Sequence, residues 1–264
     1  MPPRPEPSRD AAYFVARDAC PVCGSAESRI LYAAPYTRDP VRGFVDSHYR
    51  HQGHVDWRYL EGTDFVLSSC GACDLIWQRH APNDVLMDNI YNVMIDPSGL
   101  YRLAMNYLTV DSFESVAGEL SLLFRLVDKH PTAIRFLDYG FGYGRWARVA
   151  LALGATVFAT EISPDKIAYA HAMGIVIVTD DDLKSERFDI IHTEQVFEHL
   201  SAPREAFGRL ARAMAVKGLF KVAIPPAGAI RRRLASTGMI DASPLEHLWH
   251  SDARTRAAAR HGDY

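Results

Sequence analysis

Long apolar runs are missing from this 264-residue chain: none approaches the roughly 18 residues that read as a membrane-spanning helix. Charge of one sign is missing too. Lys and Arg number 29 against 32 Asp and Glu, a net charge of −3, so the charge balance makes no case for a nucleic-acid partner. The one basic knot, Arg231-Arg232-Arg233, reads as a solvated turn or helix start rather than a phosphate site. The opening MPPRPEPSRD lacks the apolar core of a signal peptide. It is Pro-rich and charged, so residues 1–12 read as a disordered tail on a cytoplasmic protein. What remains is 48% hydrophobic and 23% charged, a globular composition for one large domain or two modest ones.

Cysteine is scarce, and its placement is informative. All four fall in two C-x-x-C pairs, Cys20-Pro-Val-Cys23 and Cys70-Gly-Ala-Cys73. That spacing lets two thiolates point into one tetrahedral site, and a neighbouring Gly frees backbone N–H groups to face sulfur. Two pairs make a complete four-thiolate zinc site with no thiol left over. The usual gap between pairs is about 15–20 residues; here 46 intervene, so the ribbon carries a long insertion. Disulfides are the competing reading, and a reducing compartment disfavours them. A closed four-thiolate site leaves no position for a substrate, so the zinc is expected to serve folding.

The insertion carries His48, His51 and His54, read as part of a polar surface loop around Gly43 and Gly53. DFVLSS, residues 64–69, is expected as a strand that delivers Cys70, and Leu75-Ile76-Trp77 as the strand that leaves the metal. Residues 13–96 thus form an expected zinc-binding domain. Residues 97–130 come next as two linking helices, Leu100–Leu108 and Phe113–Val127, which stop before His130-Pro131.

From residue 131 to 264 the chain becomes rhythmic. Short apolar strands are expected at Ile134–Leu137, Thr156–Thr160, Ile175–Val178, Phe188–His192 and Leu219–Ile224. Helices fall between them. One runs from Gly144 to Leu153 and is closed by Gly154, and one opens at Ser163-Pro164 and is closed by Gly174. A third runs from about Pro203 to Met214. Alternation of this kind predicts an α/β fold with a doubly wound parallel sheet, its ligand at the carboxyl ends of the strands. Gly140, Gly142 and Gly144 form the turn after the first strand, where bare backbone lets a ligand come close. A dinucleotide fold would have G-x-G-x-x-G, but here Arg145 stands in the third glycine's place. Asp138, just before the turn, suits an ammonium better than a pyrophosphate. Glu161 ends the second strand, 21 residues after Gly140, where a carboxylate can accept from both ribose hydroxyls.

D-x-G-x-G-x-G with an acid at the second strand resembles the class I S-adenosylmethionine-dependent methyltransferases, over residues 131 to 225. The segment FDIIHTEQVFEHL, Phe188 to Leu200, is similar to that family's F-D-x-I-x-x-x-x-V-L-E-H-L signature. The four-cysteine element resembles a subset acting on sugars and other small metabolites. The resemblance implies that Gly140, Gly142 and Gly144 pack against the methionyl part, with Asp138 near its ammonium. It puts Glu161 on the ribose, Asp181 on the adenine amino group with Leu183 against the ring, and the backbone of Thr193 and Glu194 beside the methionine chain. It makes His199 the candidate base for an acceptor hydroxyl or acidic carbon. His192, inside the apolar strand, reads as a satisfied core histidine, and Tyr91 as a core or interface tyrosine.

Class I members carry a helix and an antiparallel strand pair after the fifth strand, and here only 39 residues come after Pro225. Pro244–Ser251 and 252–260 resemble the stretch before that helix and the helix itself; no sixth or seventh strand is visible. The fifth strand is then an open edge, and pairing with a second copy through it is one expectation. A shortened homologue or fragment is the other. Three functions are compatible with these features: methylation of a small-molecule acceptor at O or C; nucleic-acid methylation with the zinc ribbon as reader; and a truncated, non-catalytic cofactor- or partner-binding protein.

Overall fold

Two separate runs of sequence build the first unit of this protein, and one continuous run builds the second. A computed structural model describes residues 12–50, 53–237 and 244–251. Unit 1 takes the chain up to Tyr101 and again from Pro225; unit 2 is Arg102–Ile224. The domain expected over 131–264 is therefore divided: the chain from Pro225 onward groups with the amino-terminal part.

In unit 1, β1 (Phe14–Ala16), β2 (Ser28–Pro35), α1 (Val41–Tyr49), β3 (Asp64–Cys70), β4 (Ile76–Gln78), β5 (His80–Pro82) and α2 (Asp84–Asn89) succeed one another in order. β2, β3 and β4 form an antiparallel sheet, and β1 pairs with β5. The expected strand before Cys70 is β3, and the one after Cys73 is β4. The insertion is not simply a polar loop. Near its start it forms strand β2. Its middle is α1, which buries Val41, Val45 and Tyr49 at a spacing of four residues, one helical face. Gly43, a poor helix former on the exposed side of the helix, hides the pattern in sequence. His48 lies on α1 and His54 beyond it; His51 lies outside the described residues.

Unit 2 opens with α3 (Pro97–Asn106), in which the boundary between the units falls, and α4 (Val110–Val127). Thr109 caps α4 by accepting from Ser112 N, and Asp128 ends it in a left-handed conformation. α4 is more than a linker. It buries Val116, Leu120 and Phe124 in a core shared with Phe136, Trp146, Val157 and Ile190. Next come β6 (Arg135–Tyr139), α5 (Arg145–Ala152), β7 (Thr156–Thr160), α6 (Pro164–Ala172), β8 (Val176–Ile177), β9 (Phe188–Glu194), α7 (Pro203–Arg212) and β10 (Met214–Ala223). The five strands are parallel in the order β10-β9-β6-β7-β8. This is the doubly wound sheet that the sequence predicts. Among the described residues β10 is one edge, with Val216 fully outside.

The chain then returns to unit 1 as α8 (Ala227–Thr237) and β11 (Trp249–His250), the latter antiparallel to β4. Ala227, Ile230 and Leu245 join the core of Tyr36, Tyr49, Phe65, Leu67 and Ile76. The Arg231-Arg232-Arg233 knot lies inside α8, neither a turn nor a helix start. Arg231 donates to Ser69 Oγ (3.0 Å) and the Asp74 carbonyl (2.9 Å). The 252–260 segment lies outside the described residues, as does the tail over residues 1–11.

Candidate active site and metal centre

The strand order reverses between β6 and β9, and the crevice at their carboxyl ends is where such sheets hold ligands. The glycine turn after β6 lines it. Gly140, Gly142 and Gly144 have φ of 89°, 57° and 74°, values that L side chains rarely adopt. A Cβ on Gly140 would stand 2.3 Å from Val196 Cγ2, so this glycine is required by packing. A Cβ on Gly142 would meet nothing within 4 Å; that glycine faces open space.

Glu161, just past β7, holds the turn in place. Its Oε2 accepts from Gly142 N (2.9 Å), and its Oε1 from Ile162 N (2.9 Å) and Ser163 N (3.0 Å). Thr160 Oγ1 accepts from Gly140 N at 3.0 Å. Ser163 stands at the cap of α6, but its hydroxyl makes no cap bond. A carboxylate has about four acceptor positions, so Glu161 keeps capacity for a further donor.

Asp138 is oriented differently from the expectation that it meets an ammonium. It is 3% exposed, and its Oδ1 accepts from His192 Nδ1 at 2.8 Å. The two are register partners on β6 and β9, and Lys221 on β10 is the next partner along the row. Lys221 Nζ lies 3.4 Å from His192 Nε2 and 3.1 Å from Glu119, and 3.6 Å from the centre of the Trp146 ring. His192 is, as expected, a satisfied core histidine.

Of the acid run after β8, Asp182 is used by its own turn: Oδ2 accepts from Thr179 N (2.8 Å) and Thr179 Oγ1 (2.7 Å), which pulls its carboxyl below the usual range. Asp181 pairs with Lys184 and Asp180 with Arg209. Leu183 is buried beside them. At the end of β9, Thr193 is buried and its Oγ1 has no hydrogen-bond partner among the described residues. Glu194 accepts from Arg145 Nη2 and Trp146 Nε1. Burial alone would push its carboxyl up, but these donors and the charges of Arg145 and Lys221 outweigh that and leave it low. Sequence reasoning does not reach Arg145 and Trp146 as partners of Glu194; the available signal is Arg145 in place of a third glycine.

The Phe197–His199 turn comes after β9, a single 3₁₀ turn that carries His199, half-buried, next to fully buried Glu198. Apart from its own amide, neither Glu198 oxygen has a hydrogen-bond partner among the described residues. Burial raises this carboxyl to about 7, and the Glu194 charge adds to the rise. In unit 1, Tyr91 packs half-buried against the core.

The four cysteines of unit 1 come together. Their sulfurs lie within 4.8 Å of one another, with Cys20···Cys73 at 3.7 Å and Cys23···Cys70 at 3.5 Å, and none is in a disulfide. Zinc–sulfur bonds of ~2.3 Å give a tetrahedron with edges of roughly 3.8 Å, so the cluster has the size of a four-thiolate zinc site. The contact between the Cys20 and Cys73 sulfurs lowers the Cys20 thiol and raises that of Cys73, so one of the two is held toward the thiolate form that a metal requires.

No helix among the described residues is long and apolar enough to cross a membrane. No curated protein matches the chain. Several solved structures are similar to part of the chain. A Galdieria sulphuraria protein designated a sarcosine dimethylglycine methyltransferase is 19% identical over 58% of this chain and 60% of its own, with a TM-score of 0.41. The plantazolicin methyltransferase BpumL, bound to S-adenosylhomocysteine and a pentazolic analogue, is 17% identical over 61% and 64%, TM-score 0.44. The sugar N-methyltransferase KedS8 of Streptoalloteichus is 19% identical over 48% and 55%, TM-score 0.40. The chain spans less than two thirds of the length of each. The family model for a methyltransferase domain matches residues 113–261, more than half of the chain. With the five-stranded order and the glycine turn at its reversal point, that match assigns the chain to the methyltransferase-domain family, of the class I, S-adenosylmethionine-dependent fold.

Proposed function

We propose that this chain transfers a methyl group from S-adenosylmethionine to a small molecule, at oxygen or carbon, the acceptor being a sugar or another intermediate of secondary metabolism. The observation that carries the cofactor part of this reading is the open face of Gly142 beside Glu161, at the crevice where strand order reverses. The residues fit the cofactor. Gly142 leaves room for close approach, Glu161 retains acceptor capacity for ribose hydroxyls, and Asp180, Asp181 and Leu183 stand at the end of β8 for an adenine. The cofactor, when bound, supplies a sulfonium methyl that is already electrophilic. The protein's part is to hold the acceptor in line and keep water out. His199 is the group that would take an acceptor proton. The four thiolates Cys20, Cys23, Cys70 and Cys73 would hold a structural zinc ion, and they need a reducing compartment such as the cytoplasm.

The test is a calorimetric titration with S-adenosylmethionine and S-adenosylhomocysteine, with Glu161→Ala as control. Micromolar binding by the parent and at least a tenfold loss in the variant are expected, because a charge-assisted hydrogen bond contributes about 1.5–3 kcal/mol. A folded parent that binds neither compound ends this reading.

A further inference from the structure

The amino-acid end of the cofactor carries both an ammonium and a carboxylate, and Asp138 is not placed to meet the first. Its carboxylate is buried and engaged by His192 inside the sheet. The acid that does reach the crevice is Glu194. It ends β9 two residues beyond His192, the register partner of Asp138, and so stands level with Gly140 at the reversal point. Its partner Arg145 opens α5, directly after the glycine turn. The two side chains remain 26% and 30% exposed, enough for a ligand to touch both.

The pair is held from beneath. The Trp146 ring centre lies 4.2 Å from that of His192 and 3.6 Å from Lys221 Nζ, which fixes the direction of its indole N–H. That N–H donates to Glu194, Glu194 accepts from Arg145, and a further Arg145 nitrogen lies 3.4 Å from Ser112 Oγ. A guanidinium has five N–H donors and a carboxylate about four acceptor positions. Both groups therefore keep free capacity after these contacts, in a rigid arrangement that costs little to order on binding.

We propose that Arg145 and Glu194 clamp the zwitterionic end of the cofactor, Arg145 on its carboxylate and Glu194 on its ammonium, with Trp146 as the positioning residue. This rests on the cofactor reading above. The clamp makes the site selective for nucleosides that carry the amino-acid chain over those that lack it.

Paired titrations test it, with S-adenosylhomocysteine and with 5′-methylthioadenosine, a nucleoside thioether without the amino-acid group. Parent protein should prefer the first at least 30-fold. Arg145→Gln and Glu194→Gln should each weaken S-adenosylhomocysteine tenfold or more and leave 5′-methylthioadenosine within twofold. Arg145→Lys, which keeps the charge and loses the fork, should fall between, and ligand-free melting curves establish that each variant is folded. Equal losses for both ligands would assign the pair to packing and overturn the clamp. So would parent protein that binds both ligands equally well, with the cofactor reading intact. A parent that binds neither overturns that reading and the clamp together.

Discussion

Unit 2 is written in one stretch of chain, and unit 1 is assembled from two stretches more than a hundred residues apart. In unit 2 each strand finds its neighbour through a single helix or through the reversal at β9, and the core residues follow helix and strand periods. In unit 1 the third strand of one sheet completes its pairing with β11. Tyr36 and Gln78 both donate to the Pro244 carbonyl, at 3.0 Å each. Local pattern suffices where contacts are close in sequence. Where they are not, a unit needs long-range closure: in unit 1 the β4–β11 pairing joins the two stretches, and four thiols supply a candidate clasp within the first.

The strongest test of this contrast is to remove the clasp. Zinc in four-thiolate sites contributes on the order of 10 kcal/mol or more to folding. Elemental analysis should find one zinc per chain, and a strong chelator or Cys20→Ser with Cys73→Ser should unfold unit 1. Three of the four tryptophans, Trp57, Trp77 and Trp249, lie in unit 1, so tryptophan emission reports its loss. Retained binding of S-adenosylhomocysteine would show unit 2 standing alone; simultaneous loss would mean that the units form one cooperative block.

Acid should act on the two units in opposite senses. Burial holds Glu198 in unit 2 up at about 7, whereas an unfolded Glu titrates near ~4.3. The folded state keeps a proton that the unfolded chain gives up, so stability falls as pH rises through that window. His250 in unit 1 is buried, neither ring nitrogen has a hydrogen-bond partner among the described residues, and burial pushes its ring down to about 4. Unfolded His titrates near ~6.5, so this group's contribution is complete above that pH and is lost as pH falls toward 4. Each window is worth about 3.5 kcal/mol by linkage. Urea unfolding across pH 4–8 should show Glu198→Gln flattening one slope and His250→Leu the other. Slopes of the same sign would refute the contrast.

Smaller effects separate the packing and ligand roles of the glycine turn. Gly140→Ala drives a methyl into Val196 and should cost unit 2 about 2 kcal/mol. Adding Val196→Ala should return part of this. Gly142→Ala meets no atom and should cost only about 1 kcal/mol for its positive φ. It should nonetheless weaken S-adenosylhomocysteine tenfold, because the methyl stands in the cradle. Unchanged affinity would remove Gly142 from the site.

Much of unit 2 is legible in the sequence. Proline and glycine punctuation at Pro131, Gly154, Pro164 and Gly174 marks element ends by simple steric rules, and the observed strands and helices fall within a few residues of the expected bounds. Unit 1 is legible only around its cysteines. Strand β2 and helix α1 are hidden because Gly43 and the mixed composition of residues 28–50 obscure both periods.

Residue order alone dictates the alternation of strands and helices, the glycine turn, the acid that supports it and the grouping of the cysteines in pairs. These depend on chain sterics and on spacing within a few residues. Folding was needed to turn Asp138 to His192, to bring Glu194 and Arg145 together at the crevice, and to join the last segment to the first unit. Each of these depends on which strand lies beside which, and a side chain's partner across a sheet is set by register between distant stretches, not by its neighbours in the chain.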